Sequence, residues 1–144
     1  MRFWDSSALV PLCLEEPATV TARRLYDGDH GMAVWWASPV ECGSAFARLR
    51  RDGALDEEEE SAARSALDAL SAFWHEVQPT LELRAQALRL LRVHALRATD
   101  ALQLAAGLAW AGTPPEGELV TLDDRLGSAA RREGLRVVPS PAAR

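Results

Sequence analysis

A chain of 144 residues, 48% hydrophobic and 26% charged, is long enough for one real core and too short for two ordinary domains, so residues 1–144 read as a single domain. The net charge of -5 is concentrated in Asp56-Glu57-Glu58-Glu59-Glu60, acids that belong in the first turn of a helix. The rest of the chain is balanced, which excludes a polybasic nucleic-acid binder. Cys13 and Cys42 form no CxxC pair, which excludes a zinc ribbon or disulfide framework. No segment reads as a leader or membrane span, so a reducing cytoplasm and no membrane partner are expected.

Taken in order, Arg2 to Asp5 reads as a short strand, Ser6 to Leu14 as a helix stopping before Pro17, and Ala18 to Asp27 as a helix closed by Gly28. Met32 to Ala37 is a continuous apolar run, the pattern of a strand buried on both faces. Ser38-Pro39 then predicts a helix to Arg51, with Ser38 as hydroxyl N-cap and Pro39 at the first helical position. An acidic-fronted helix follows from Asp56 to about His75, then a short strand at Glu76 to Gln78. Thr80 caps the next helix, in which Leu83, Ala87, Leu90, Leu91 and His94 recur at helical spacing. Thr99 to Ala111 is a helix of small residues, Leu119 to Leu122 a strand, Asp124 to Glu133 a helix and Arg136 to Val138 a last strand. Strands alternating with helices imply crossovers and an α/β fold with a mostly parallel sheet.

In such a sheet the functional crevice lies at the carboxyl ends of the strands. Four acids map onto that edge: Asp5 and Asp123 at strand ends, Glu41 and Asp100 in the first turns of helices. Each has an ordinary explanation. Asp5 and Asp123 suit helix caps, Glu41 completes a capping box with Ser38, and Asp100 complements a helix dipole. Taken together, their placement at one edge of an apolar sheet points to a shared site. Two carboxylates about 5 Å apart repel by roughly 3 kcal/mol at an effective dielectric of about 20. No hydrophobic surroundings are evident in the sequence that would keep some of the acids protonated. A hard divalent cation relieves the repulsion, and an all-oxygen donor set favours Mg²⁺, with Mn²⁺ as substitute.

The segments "FWDSSALV", "SPVECGSAFARL", "RATDALQLAAGLAWA" and "LVTLDDRLGSAARREGL" resemble, in order and over almost the whole chain, the PIN-domain family, specifically the VapC-type toxin ribonucleases of bacterial toxin–antitoxin pairs. The resemblance implies an α/β/α sandwich with helices on both faces of the sheet. It also implies Mg²⁺-dependent endoribonuclease activity on RNA, a homodimer, and inhibition by a cognate antitoxin. Asp5, Glu41, Asp100 and Asp123 match the family's acidic quartet, and Ser6 and Thr121 match hydroxyls that support its metal site. Asp123, two residues after Thr121, fits the register; the adjacent Asp124 then caps a helix or supports the site, and either of the two is a candidate fourth acid. Which group, if any, takes a proton from water is left unassigned.

Arg97 and Arg48 are candidate RNA contacts near Asp100 and Glu41, and Trp35 and Trp36 candidate base-stacking residues. For the tryptophans, burial in the core for one and beneath a helix for the other is the default; Trp4 is assigned to the core and His94 to packing. Two other functions compete. A phosphohydrolase of small phosphate esters, like receiver domains, ordinarily uses a Lys, and this chain has none. Such a phosphohydrolase would also place a second acid where Ser7 stands. A non-catalytic module would use the acidic cleft to accept an Arg from a partner.

Overall fold

The computed structural model describes residues 1–141 of the chain. Five strands, β1 (Arg2–Trp4), β2 (Met32–Trp35), β3 (His75–Val77), β4 (Glu118–Val120) and β5 (Arg136–Val138), form one sheet in the order β3-β2-β1-β4-β5. All four pairings are parallel, with Phe3 opposite Ala33 and Leu119. Between the strands run α1 (Ser6–Cys13), α2 (Thr19–Gly28), α3 (Ser38–Arg51), α4 (Glu57–Ser71), α5 (Leu81–Val93), α6 (Ala98–Ala111) and α7 (Asp124–Arg132).

The twofold periodicity of the strands divides the core into two layers. Phe3, Ala33, Trp35, Leu119 and Val137 face α5, α6 and α7, where Leu83, Leu90, Leu104, Leu126 and Ala130 receive them. Their strand neighbours Trp4, Met32, Val34 and Val120 face the other way, against Leu9 of α1, Phe46 of α3 and Leu67 of α4. Both faces of the sheet are therefore covered, which is why its strands carry no polar alternation. α1 leaves β1 for one face and α7 leaves β4 for the other. Strands β1 and β4 are neighbours, so the space beyond their carboxyl ends is a topological switch point, where an open α/β sheet forms its crevice.

Several boundaries differ from the predicted ones, and the causes are local. α3 begins one residue earlier than its Ser-Pro signal implies: Ala37 is the cap, without a side-chain hydrogen bond, and Ser38 lies inside the helix with its hydroxyl turned into the core. β4 ends at Val120: Thr121 N–H still donates to Val138 O of β5 (3.1 Å), but the two N–H groups after it are drawn elsewhere. Leu122 N–H donates to Ser7 Oγ (2.9 Å) and Asp123 N–H to Thr121 Oγ1 (3.1 Å). β2 likewise stops at Trp35, and Trp36, expected beneath a helix or in the core, is half exposed (50%). α4 ends at Ser71, short of His75, so β3 starts one residue sooner than predicted. Its acidic front is a capping box, with Glu59 N–H donating to Asp56 and Asp56 N–H to Glu59, each at 2.8 Å.

Phe46 is fully buried between α3 and the sheet, on the helix that also carries Glu41. Phe46→Ala should destabilise the protein by about 3–5 kcal/mol through lost transfer energy and the cavity left behind. Urea denaturation checks this; a loss of under about 1 kcal/mol would show that this layer collapses freely around the gap.

Candidate functional site

The carboxyl edge of the sheet opens into a cleft of about 400 Å³ lined by Asp5, Glu41, Asp100 and Asp123, with Ser6, Ser7, Glu16, Arg48 and Arg97 around them. Four separate elements deliver the acids. Asp5 follows β1 and caps α1, accepting from Ser7 N–H. Glu41 lies in the first turn of α3, Asp100 in the first turn of α6, and Asp123 caps α7.

Asp5 is the deepest of them, 4% exposed. Its Oδ2 accepts from the Ser7 hydroxyl and from Thr121 Oγ1 (2.9 Å), besides the Ser7 N–H. Glu41 does not reach back to the start of its helix. Its Oε2 instead accepts from Ser6 Oγ (2.7 Å) and from Gln103 Nε2 (3.0 Å), which removes the capping-box explanation. Asp100 and Asp123 do serve their helices, Asp100 Oδ2 accepting from Arg97 N–H (3.1 Å) and Asp123 Oδ1 from Leu126 N–H (2.8 Å). The cap of α7 is thus Asp123, not Asp124; Asp124 is the first residue of the helix proper and is exposed.

One pattern joins the four. In each carboxylate one oxygen is held by protein donors, and the other receives none among the described residues, apart from a 3.4 Å approach of Ser6 Oγ to Asp5 Oδ1. Ser6 has a single proton, and the 2.7 Å bond to Glu41 takes it. The carboxylates are therefore oriented by the fold while each keeps a strong acceptor unspent.

Electrostatics follow from this geometry. Burial holds the Asp5 carboxyl above its ordinary pKa, the hydroxyl and N–H donors oppose the rise, and the charge of Asp123 adds to it. Burial likewise raises Glu41, against its bonds to Gln103 and Ser6 and together with the charges of Asp5 and Asp100. Desolvation here is not evident from the sequence; it arises from the burial of Asp5 and the partial burial of Glu41 in the folded chain. The acids thus act on one another across the cleft.

Oxygen is the only donor type on offer, which suits a hard divalent ion. Among the described residues no three His, Cys, Asp or Glu side chains stand close enough to enclose a metal ion by themselves. The cleft is an open rim and not a closed cage. That fits Mg²⁺, which usually binds one or two carboxylates and keeps waters or phosphate oxygens for its remaining positions.

The other candidates separate cleanly. Arg48 and Arg97 are exposed on the cleft wall, and neither side chain forms an ion pair among the described residues. His94 turns away: its Nε2 meets Glu133 Oε1 at 2.7 Å, beside the Arg89–Glu133 ion pair that ties α5 to α7. Trp4 is fully buried, as expected. A larger cavity of about 660 Å³ lies at the opposite, amino edge of the sheet. Most of its charges are already paired, Arg136 with Glu118 and the Met1 ammonium with Asp29.

No protein-family model matches the sequence. Two relatives from Mycobacterium tuberculosis, ribonuclease VapC45 of strain CDC 1551 / Oshkosh and ribonuclease VapC49 of strain H37Rv, are each 35% identical over 140 residues, spanning 96% of this chain and 94% of theirs. The chain belongs to the VapC family of PIN-domain ribonucleases. Solved structures share the fold at lower identity. VapC20 of M. tuberculosis superposes with a TM-score of 0.67 at 19% identity over 90% of this chain and 95% of its own. PAE2754 of Pyrobaculum aerophilum gives 0.66 at 21%, covering 95% and 83%. The toxin–antitoxin pair VapBC2 of Rickettsia felis, solved with a promoter DNA fragment, gives 0.64 at 11%, covering 94% and 96%.

Sequence reasoning missed two residues of this VapC-family cleft. Ser7 was weighed only as the place where a second acid is absent, yet its hydroxyl links Asp5, Thr121 and the Leu122 N–H. Gln103 falls within what the sequence shows as a helix of small residues. Its signal was there: it is the lone polar side chain in "ALQLAAGLAWA", three residues beyond Asp100.

Because burial raises Asp5, the folded protein keeps a proton there to higher pH than the unfolded chain does. The resulting stability is full below the unfolded pKa and is lost as pH rises through the raised folded value. In chelator, wild type should therefore lose stability relative to Asp5→Asn as pH rises above the ordinary carboxylate range. Parallel urea midpoints for the two proteins across that rise would show that Asp5 is not desolvated.

Proposed function

We propose that this protein is a Mg²⁺-dependent endoribonuclease, the toxin of a toxin–antitoxin pair, with Asp5, Glu41, Asp100 and Asp123 as its metal-holding acids and Mn²⁺ as a working substitute. The observation that carries this reading is the division of labour within the four carboxylates, one oxygen fixed by the protein and the other turned to a common cleft. Such an ion supplies, when bound, Lewis acidity toward a phosphodiester and a more acidic water.

The chain's own contribution is placement. Ser7 and Thr121 fix Asp5, Ser6 fixes Glu41, and helix N-termini fix Asp100 and Asp123. Arg48 and Arg97, charged and unpaired among the described residues, flank the acids where an RNA backbone enters. Arg97 also heads α6, so a phosphate there meets both a guanidinium and a helix N-terminus. Ser7 stands where an ester phosphohydrolase would carry a second acid, and its hydroxyl is already committed to Asp5, which speaks against that alternative. A toxin–antitoxin complex from Klebsiella pneumoniae shares the fold; the same kind of antitoxin partner, in the cytoplasm, is the setting proposed here.

RNA cleavage by the purified chain should require Mg²⁺ or Mn²⁺ and cease in chelator. Glu41→Gln should lower kcat/KM more than about a hundredfold, equivalent to about 2.7 kcal/mol of transition-state stabilisation, without loss of melting temperature. Full metal-dependent cleavage by Glu41→Gln would remove Glu41 from the set. Arg97→Ala and Arg48→Ala should each weaken RNA binding and flatten its salt dependence by roughly one counterion. An unchanged salt slope would place the RNA elsewhere.

The antitoxin-free protein is further proposed to be a homodimer. Leu81, Leu88, Leu91 and Val93 of α5, with Trp36 and Val40, are large apolar side chains left exposed, consistent with a second copy covering some of them. Sedimentation should give twice the mass of the chain at micromolar concentration; a monomer would contradict it.

A further inference from the structure

Gln103 is 1% exposed and is the single polar residue among the buried side chains of α6, the others being Ala101, Leu104, Ala105, Ala106 and Gly107. Its Nε2 has two protons and two acceptors: Ser38 Oγ at 3.1 Å and Glu41 Oε2 at 3.0 Å. Its Oε1 is buried with no hydrogen-bond partner. Leaving a buried carbonyl unmet ordinarily costs about 1–3 kcal/mol. A leucine of similar volume would avoid that cost and suit the surrounding core. The amide cannot be turned over to relieve it, since its carbonyl would then face a carboxylate. Gln103 is thus a poor core residue held in one orientation by Glu41.

Glu41 shows what this achieves. Ser6 from α1 and Gln103 from α6 both donate to Oε2, while Oε1 receives no donor among the described residues. Two donors on one oxygen, from two different helices, fix the rotation of the carboxylate. Gln103 lies one turn along α6 from Asp100, on the same face of the helix. The same helix therefore supplies one acid of the cleft and sets the orientation of another, carried by α3.

We propose that Gln103 is a positioning residue, whose amide grips Glu41 by one carboxylate oxygen so that the other is presented to the cleft, while the Ser38 hydroxyl holds the amide itself. This rests on the assignment of Glu41 to the metal-holding set. Residues in this supporting position typically change metal affinity or activity by about 10–100-fold.

The test is Mn²⁺ titration of the full chain by calorimetry, with melting temperature and RNA cleavage measured on the same preparations. Gln103→Leu should melt at or above the wild-type temperature, since an unmet buried carbonyl is removed. Its Mn²⁺ affinity and its kcat should each fall about tenfold. In a Glu41→Gln background, adding Gln103→Leu should cause no further loss, because a residue acting through Glu41 has nothing left to position. A second, unbranched replacement, Gln103→Met, repeats the measurement if Leu does not fit. Wild-type affinity in either folded variant, or an additive loss in the Glu41→Gln background, overturns the proposal, and so does failure of both variants to fold. If Glu41→Gln itself binds Mn²⁺ and cleaves like wild type, the assignment of Glu41 has failed; if Glu41→Gln is impaired and Gln103→Leu is not, only the role of Gln103 has.

Discussion

The structure turns on a carboxylate buried at the carboxyl end of its central strand. An isolated ionised Asp5 among Trp4, Leu9 and Val120 would be prohibitively costly. The fold answers with two hydroxyls and a backbone N–H on a single oxygen, two of these three donors coming from Ser7 alone. Thr121 is tied into the same group, which joins the ends of β1 and β4 across the switch point and draws the Leu122 and Asp123 N–H groups out of any longer strand. The crevice thus has a chemically specified floor, and the sheet cannot extend past it.

From that floor the rest of the cleft follows. Asp123 reaches it because β4 is cut short and the chain turns at once into α7. Glu41 reaches it because α3 is capped by Ala37, which sets Glu41 a residue too deep for a capping box and leaves it facing Ser6 and Gln103. Each carboxylate is held at one oxygen only, so orientation is fixed without exhausting its capacity to accept. Burial raises the pKa values of Asp5 and Glu41, and the repulsion between carboxylates that share the cleft adds to it. On the proposed function, a cation bound there would satisfy the free oxygens and relieve that repulsion together.

Much of this was legible in the sequence because it rests on local signals. The apolar run at Met32 marks a strand buried on both faces, and acids directly after strands or at helix starts land at one edge of a parallel sheet whatever the details of packing. What escaped was decided by tertiary contacts. Ser38 is a good cap by composition, but a buried amide 65 positions away claims its hydroxyl. Asp123 and Asp124 are equivalent by composition, and only the path of the chain out of β4 makes the first the cap and leaves the second exposed. Trp36 reads as core by its neighbours and is half exposed because the strand ends one residue before it. Gln103 escapes because small residues define its helix in the sequence, and only the packing of that helix against α3 gives the one amide a partner in Glu41.

The central claim is that the four carboxylates form one cation site through the oxygens the protein leaves without donors. A crystal soaked in Mn²⁺ and measured for anomalous scattering addresses this directly. The expected result is a peak in the cleft lying roughly 2.0–2.3 Å from donor-free oxygens of at least two of Asp5, Glu41, Asp100 and Asp123, with waters completing the shell. A cleft without a peak at saturating Mn²⁺, or an ion bound only through oxygens already held by Ser6, Ser7, Thr121 or Gln103, would contradict it.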